Sequence, residues 1–163
     1  MCGILVYIGQ QELGANHPSL NIVSHRGPDG HGVKTFRLND GFISLGHRRL
    51  SIIDLSDNAS QPMCFQDSGL WITYNGEIYN YVELRNELQK DGYIFNTNSD
   101  TEVLLALYHK WGDNCLKKIN GMFAFSIWDN TKKKLFVARD RFGIKPLYYW
   151  SSSKGFIIAS EIK

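Results

Sequence analysis

Apolar residues fall in short runs whose length and spacing predict a chain built mostly from strands. Runs of strand length occupy residues 3–8, 42–45, 50–55 and 70–74 in the first half, and residues 122–128, 135–139, 147–150 and 156–159 in the second. Stretches rich in Gly, Pro, Asn and Asp, such as residues 27–30 and 39–41, separate the early runs. Short apolar runs bounded by such residues are typical of β-strands joined by turns.

Two segments in the middle of the chain have helical periodicity instead. The first begins at Asn80 as its N-cap, places apolar residues 84 and 88 on one face, and stops at Gly92. The second begins with the capping-box pattern from Ser99 to Glu102, and apolar residues 104, 107, 108 and 111 follow before Gly112. We therefore expect two amphipathic helices between the early and late strands.

The order of strands, two helices and strands, with short connections, predicts an α+β fold with mostly antiparallel sheets. Residues 122–128 are apolar on both faces except at Ser126, which is typical of a strand covered on both sides. We therefore expect a layered sandwich with helices outside. Three lysines at residues 132–134 lie between two late strands, and we interpret them as a solvated hairpin tip.

Composition narrows the class of protein. The chain has 163 residues, 43% hydrophobic and 21% charged, which suits one globular domain with its own core. A net charge of +2 gives no strong global field for nucleic acid or an anionic membrane, and no motif of RNA-binding sheets accompanies the aromatic residues. The apolar runs are too short to span a bilayer, and no basic segment precedes the first run to suggest a signal peptide. We expect a cytoplasmic protein that binds neither nucleic acid nor membrane.

The cysteines and histidines do not suggest a metal site. Cys2, Cys64 and Cys115 are far apart, no C-x-x-C occurs, and the five histidines lack the spacing of metal ligands. We interpret Cys64 and Cys115 as small buried hydrophobic residues. Cys2 differs, because removal of Met1 would leave its thiol next to a free α-amine. That amine is neutral near pH 8 and can take the thiol proton, as in N-terminal nucleophiles.

Several polar residues fit acyl-transfer chemistry around such a thiol, although each has a structural alternative. Asn75 and Gly76 follow an apolar strand, so they could form a tight turn or offer a side-chain amide and a backbone N–H to an oxyanion. Arg49, at the start of an apolar run, is a surface residue or a fork for a carboxylate. Asp100 is first a helix-capping residue, and together with Glu77 it could hold an ammonium group.

Seven motifs follow one another along the chain: Met1-Cys-Gly-Ile-Leu5, His25-Arg-Gly-Pro-Asp-Gly30, His47-Arg-Arg-Leu-Ser-Ile52, Tyr74-Asn-Gly-Glu-Ile-Tyr-Asn80, Ser99-Asp-Thr-Glu102, Gly121-Met-Phe-Ala-Phe125 and Arg139-Asp-Arg-Phe-Gly-Ile-Lys-Pro-Leu-Tyr148. Together they resemble the glutaminase domain of asparagine synthetases, within the class II glutamine amidotransferases. The resemblance covers residues 2–161. It implies an N-terminal-nucleophile hydrolase fold, a four-layer αββα sandwich of two mostly antiparallel sheets, as one glutaminase domain over residues 1–163. It also implies hydrolysis of L-glutamine to glutamate and ammonia through a γ-glutamyl thioester.

The resemblance implies a role for each site residue: Cys2 as nucleophile with its α-amine as general base, Asn75 and Gly76 as the oxyanion hole, Arg49 for the α-carboxylate, Glu77 and Asp100 for the α-ammonium, Leu50, Ile52 and Ile53 as the pocket wall, and Arg26 on a loop beside the thiol. No metal and no cofactor are expected in this chain. ATP and magnesium belong to a synthetase domain, which would receive the ammonia as a further domain or partner subunit.

Two features depart from the family pattern. Residues 9–24 have little helical periodicity, although relatives are expected to form a helix there. No pyrophosphate loop or other nucleotide-binding motif occurs, so we expect the synthetase domain to be absent from this chain. The alternative function is a catalytically inactive regulatory or docking domain on the same fold.

Overall fold

Nine strands form two antiparallel sheets in the part of the chain that the computed structural model describes, residues 1–14, 17–66 and 68–162. The first sheet has the order β2-β3-β1-β9-β8 and comprises β1 (Gly3–Gly9), β2 (Gly30–Leu38), β3 (Gly41–Arg49), β8 (Tyr148–Ser152) and β9 (Gly155–Ala159). The second has the order β4-β5-β6-β7 and comprises β4 (Met63–Cys64), β5 (Leu70–Ile78), β6 (Gly121–Asp129) and β7 (Lys134–Arg139).

The two sheets pack face to face and share an apolar layer. Val6 and Leu45 of the first sheet and Trp128 of the second are buried there in one cluster. The outer face of the second sheet is covered by α2 (Tyr81–Lys90) and α3 (Asp100–Trp111), and residues 100–108 of α3 are all buried. Alternate side chains of β6 therefore meet the other sheet and the helices, as the apolar pattern of residues 122–128 predicts.

The outer layer over the first sheet is thin. It consists of the five-residue helix α1 (Pro18–Ile22) and a 3-10 turn at Ser24–Arg26, and Leu20 and Val23 pack there with Leu5 and Leu13. The predicted α+β class with two antiparallel sheets and outer helices is confirmed. Residues 15 and 16, within the segment 9–24 where the family resemblance implies a helix, lie outside the described part of the chain.

Both predicted helices are confirmed, but their N-terminal contacts differ in detail from the prediction. The Ser99 hydroxyl accepts a hydrogen bond from the Glu102 N–H at 3.3 Å, as a cap should. The Glu102 carboxylate does not return to Ser99, because it accepts from the N–H groups of Asn96 and Thr97 instead. Asn80 stands at the N-cap of α2, yet its side chain makes no capping bond and joins the helix start to residues 118 and 120.

The prediction of a strand at residues 50–55 is wrong. This segment is irregular, because Asp29 accepts the Ser51 N–H at 2.8 Å and donates its own N–H to the Arg49 carbonyl at 3.0 Å, which turns the chain away from the sheet. Two of its apolar side chains, Ile52 and Leu55, are exposed. Arg49 accordingly ends β3 rather than beginning a strand.

Strand β2 is missing from the prediction, because most of its residues are half-exposed or exposed and show no clear apolar run. The hairpin tip at residues 129–134 is confirmed, and Lys132 and Lys133 are exposed there. Cys115 is buried as predicted, whereas Cys64 is only half-buried. Within the described residues, no helix is both long and apolar enough to cross a bilayer.

Candidate active site

A cavity of about 300 Å³ lies where one end of each sheet meets the N-terminus of α3. Its size is at the lower end of the range for pockets that hold small ligands. It brings together the predicted site residues that come from four separate parts of the sequence: Cys2, Arg49, Leu50, Ile52, Ile53, Asn75, Gly76, Glu77 and Asp100. Arg26 is the one predicted site residue that does not line it.

Cys2 immediately precedes β1, so the first sheet fixes its position. The Leu50 N–H donates to the Cys2 sulfur at 3.4 Å, and the thiol faces the Leu50 carbonyl at 3.6 Å. Burial raises the pKa of the thiol, and the Leu50 contact and the Arg49 charge lower it only in part. The resting thiol is therefore protonated at neutral pH and requires a base before it can act as a nucleophile. Met1 also lines the cavity, directly before the thiol.

Asn75 and Gly76 lie within β5 and do not form the turn that was the alternative. Alternate side chains of β5 face the other sheet: the Thr73 hydroxyl donates to the Gly46 carbonyl of β3 at 2.9 Å. The Asn75 side chain has the same orientation, two residues further on. It is 2% exposed, and its Nδ2 makes no hydrogen bond with any described residue. A buried amide donor without a partner is costly, which indicates that a ligand oxygen satisfies it.

The Gly76 N–H faces the cavity because of the strand register. Gly76 pairs with Phe123 of β6, and Phe123 uses its own N–H and carbonyl on the opposite side, with Asp140. Gly76 and Phe123 are thus a non-hydrogen-bonded pair, and the Gly76 N–H points away from β6. A Cβ at Gly76 would lie 2.4 Å from the Met122 carbonyl oxygen, so the close approach of β6 requires glycine here.

Two neighbouring N–H groups along this edge of β5 are already bonded. The Tyr74 N–H donates to the Gln61 side chain at 2.7 Å, and the Ile78 N–H donates to the Asp100 carboxylate at 3.0 Å. Strand β4 is only two residues long and ends before this point. The Gly76 N–H therefore lies between two occupied donors, close to the Asn75 amide, and the pair forms a candidate oxyanion hole.

Arg49 and the irregular segment after it form one wall of the cavity. Its guanidinium donates to the Asp54 carbonyl at 2.5 Å and to the Ser60 hydroxyl at 3.4 Å, and both partners are neutral. A guanidinium whose hydrogen-bond acceptors are neutral can bind a carboxylate. Gly27 packs so closely on this strand end that a Cβ would lie 2.3 Å from the Arg48 carbonyl carbon, which explains glycine in the motif at residues 25–30.

Acidic groups lie on the wall formed by β5 and α3. Asp100 is 5% exposed, and its carboxylate accepts from the Tyr74 hydroxyl at 2.7 Å and from the Ile78 N–H. Burial raises the pKa of the Asp100 carboxyl, and these hydrogen bonds lower it in part. Glu77 is exposed at the edge of the same cavity. Two carboxylates in one small pocket favour an ammonium group as ligand.

Arg26 lies behind the nucleophile. Its Nε donates to the Cys2 carbonyl oxygen at 3.0 Å, and its Nη1 contacts Glu161 at 3.1 Å. The residue therefore touches the main chain of the nucleophile and can orient it, although it lies outside the cavity.

Sequence reasoning missed several cavity residues, among them His47, Gln61 and Lys145. His47 is fully buried, and its Nε2 contacts the Tyr74 carbonyl at 3.1 Å, while Lys145 is 7% exposed. The sequence offered a usable signal only for His47, which stands two residues before Arg49 on the same strand face. No group of three or more metal-binding side chains occurs among residues 1–14, 17–66 and 68–162, and the expectation of no metal stays a prediction.

Comparison with known proteins connects the chain with glutamine amidotransferases. A family model described as a glutamine amidotransferase domain matches residues 1–163. The chain is 50% identical over 142 residues to asparagine synthetase [glutamine-hydrolyzing] 1 of Bacillus subtilis, covering 87% of this chain and 22% of that protein. It is 39% identical over 180 residues to a putative asparagine synthetase [glutamine-hydrolyzing] of Methanocaldococcus jannaschii, covering 100% of this chain and 34% of that protein.

A solved structure supports the fold. Glutamine phosphoribosylpyrophosphate amidotransferase from Bacillus subtilis, complexed with ADP and GMP, superimposes with a TM-score of 0.78 at 25% identity, covering 98% of this chain and 42% of that one. This confirms the predicted N-terminal-nucleophile hydrolase fold. The chain spans between about a fifth and a third of the curated relatives that it matches. By its sequence over all 163 residues, the chain belongs to the family of glutamine amidotransferase domains.

Proposed function

We propose that this chain is a glutaminase, which hydrolyses the side-chain amide of L-glutamine to glutamate and ammonia through a thioester on Cys2. The observation that carries the proposal is the buried Asn75 Nδ2, which lacks a partner among the described residues and lines the same cavity as the Cys2 thiol. An acyl-transfer enzyme needs such a donor for the oxyanion of its tetrahedral intermediate.

The first half of the proposed reaction transfers the acyl group to sulfur. The α-amine of Cys2 takes the thiol proton, and the thiolate attacks the side-chain carbonyl carbon of glutamine. Asn75 Nδ2 and the Gly76 N–H bind the resulting oxyanion. The ammonium form of the α-amine returns the proton to the leaving nitrogen, ammonia departs, and the γ-glutamyl thioester remains.

The second half releases glutamate. The α-amine removes a proton from water, the hydroxide attacks the thioester carbonyl through the same oxyanion hole, and the thiolate leaves and regains the proton. No metal or cofactor takes part in these steps.

Charged residues of the cavity fit the two ends of the amino acid. Arg49 would bind the α-carboxylate, because both hydrogen-bond acceptors of its guanidinium among the described residues are neutral. Asp100 and Glu77 would hold the α-ammonium on the wall that β5 and α3 form. Leu50, Ile52 and Ile53 line the cavity between these charges and would contact the aliphatic part of the substrate.

We further propose that a synthetase domain or partner subunit receives the ammonia, and that ATP and magnesium act there and not in the cavity of this chain. The curated relatives are longer proteins named as glutamine-hydrolysing synthetases. Beside Lys145 of the cavity, the turn at residues 140–145 exposes two large apolar side chains, Phe142 at 90% and Ile144 at 55%. An apolar surface next to the site of ammonia release suits a covering domain.

The decisive experiment uses protein that begins at Cys2, as verified by intact mass. It should release glutamate and ammonia from glutamine in equal amounts, and a glutamine-mimicking electrophile should label Cys2 but not Cys64 or Cys115. Cys2→Ala should be inactive, whereas Cys64→Ser should keep full activity, because Cys64 lies outside the cavity. Protein that retains Met1 should be inactive, since its Cys2 nitrogen is an amide with no usable lone pair. Full activity with Met1 retained would refute the amine as base, and no turnover by the protein that begins at Cys2 would refute the function.

A further inference from the structure

The segment after β9 is hydrogen-bonded to β1, the strand that begins directly after Cys2. Ser160, 1% exposed, exchanges two hydrogen bonds with Ile4 of β1: its hydroxyl accepts the Ile4 N–H at 3.0 Å, and its own N–H donates to the Ile4 carbonyl at 3.1 Å. The next residue, Glu161, is therefore held at a fixed position relative to the start of β1. Its place in space is close to Cys2, although almost the whole length of the chain separates the two.

Glu161 contacts the arginine that bonds to the nucleophile. Its Oε1 lies 3.1 Å from Arg26 Nη1 and 2.8 Å from His25 Nε2, and Arg26 Nε donates to the Cys2 carbonyl oxygen at 3.0 Å. The side chains of Arg26 and Glu161 are only 10% and 16% exposed. Among the described residues no other carboxylate forms an ion pair with Arg26, so Glu161 balances the charge of this shielded guanidinium.

We propose that Glu161 is a positioning residue for the nucleophile, which holds Arg26 against the Cys2 carbonyl and neutralises its charge. The expected effects on kcat and KM for glutamine rest on the proposed glutaminase function. The expected effect on the reactivity of the Cys2 thiol does not. Glu161 does not line the cavity, so it acts through Arg26 and not on the substrate.

If Glu161 has this role, its removal should lower the pKa of the Cys2 thiol and of the Cys2 α-amine. Without the Glu161 charge, the guanidinium beside Cys2 is uncompensated. A positive charge favours a thiolate and disfavours an ammonium, so both the thiol and the α-amine should lose their protons at lower pH. Other charged groups face Cys2, with Arg49 favouring the thiolate and Asp100 opposing it, and they stay unchanged in the comparison.

Two further sets of ionisable groups bear on the measurement. His47, Glu77 and Lys145 share the cavity with Cys2 and are the same in every variant compared. His25 shares the Glu161 carboxylate, so the comparison is repeated in a His25→Asn background.

The experiment compares Glu161→Gln with the parent, both beginning at Cys2. The rate at which iodoacetamide alkylates Cys2, followed by mass spectrometry against pH, reports the thiolate without requiring glutamine turnover. The acid limb of kcat/KM for glutamine reports the base of the free enzyme. Both profiles should move to lower pH by roughly half a unit to one unit. Glu161→Asp keeps the charge and should keep the profile, but its shorter side chain should lower kcat about tenfold with KM unchanged.

Glu87→Gln is the control, because Glu87 forms an ion pair of similar length with Lys118, at 3.0 Å, in a more exposed place outside the cavity; it should move neither profile. An alkylation profile of Glu161→Gln that superimposes on the parent would overturn the proposal. If the profile shifts but the parent hydrolyses no glutamine, the glutaminase function fails and the role of Glu161 stands. If Glu161→Gln does not fold, Glu161→Asp decides, and an unchanged kcat in that variant overturns the proposal.

Discussion

Replacement of His47 by Gln should make the protein more resistant to acid. His47 is fully buried, and the Tyr74 carbonyl can only accept, so Nε2 carries the proton of a neutral imidazole. Nδ1 is also buried and bonds to no described residue. Burial, helped by the Arg49 charge and opposed by the Tyr74 carbonyl, lowers the pKa of His47 from 6.5 to about 4. A Gln amide can donate to the same carbonyl but cannot gain a proton.

The size of the effect follows from this pKa difference. Below pH 6.5 His47 is protonated in the unfolded chain, whereas in the folded chain it stays neutral down to about pH 4. The unfolded state therefore binds more protons, and the free energy of unfolding falls as the pH falls. Each unit of pKa shift corresponds to about 1.4 kcal/mol. Relative to the His47→Gln variant, the parent should therefore lose about 2 kcal/mol between about pH 7.5 and about pH 5, and about 3 kcal/mol below about pH 4.

The assay is urea unfolding of the parent and of His47→Gln at a series of pH values. The difference between their free energies of unfolding cancels the groups that both proteins share, including Asp100 with its raised pKa. His31→Gln is the control for the loss of an imidazole, because His31 is exposed on β2. A difference for His47→Gln that does not change with pH would show that the buried imidazole is not held neutral.

Three further predictions concern the proposed reaction. Asn75→Ala should lower kcat by about 10²–10³ with little change in KM, and a kcat within a few-fold of the parent would remove Asn75 from the oxyanion hole. Arg49→Ala should raise KM roughly 10- to 100-fold, while Arg49→Lys keeps the charge and recovers only part of the loss; an unchanged KM would contradict carboxylate binding. Because burial raises the pKa of Asp100, protons should compete with the substrate ammonium at a higher pH than they would at an ordinary aspartate, and KM should rise as the pH falls. Asp100→Asn should have a high KM that is independent of pH, and a parent KM without pH dependence would exclude this contact.

Strand β6, which buries both of its faces, could be predicted from the sequence, whereas β2, whose residues are half-exposed or exposed, could not. The nearly continuous apolar residues at positions 122–128 predict a strand that is covered on both faces, and the structure has β6 at this place. Four of the six residues at positions 50–55 are also apolar, but Ile52 is 73% exposed and Leu55 76%, because the segment shapes a cavity instead of filling a core. What separates the two cases is the Asp29 side chain that holds Ser51, a contact between distant residues that local propensity does not contain.

The site shows the same division. Residue types and motifs were sufficient to select Cys2, Arg49, Asn75 and Asp100, and the fold brings them to one cavity. The direction in which each group points depends on the pairing register of the strands, which local sequence does not give. The Gly76 N–H points into the cavity because Gly76 pairs with Phe123, which hydrogen-bonds to Asp140 on its other side. The contact of Glu161 with Arg26 joins two distant segments of the chain, and only their meeting in space reveals it.

The edge of β5 beside the cavity also bears on solubility. An open strand edge offers a row of donors and acceptors to any extended peptide, and proteins must block such edges against aggregation. Here Gln61 caps the Tyr74 N–H and Asp100 caps the Ile78 N–H, which leaves one donor between them. An added β-strand would need a free N–H at every second residue of β5, and two of the three, those of Tyr74 and Ile78, are already bonded. A single carbonyl oxygen needs only the Gly76 N–H. The side chains that shape the cavity thus also protect the sheet against self-association.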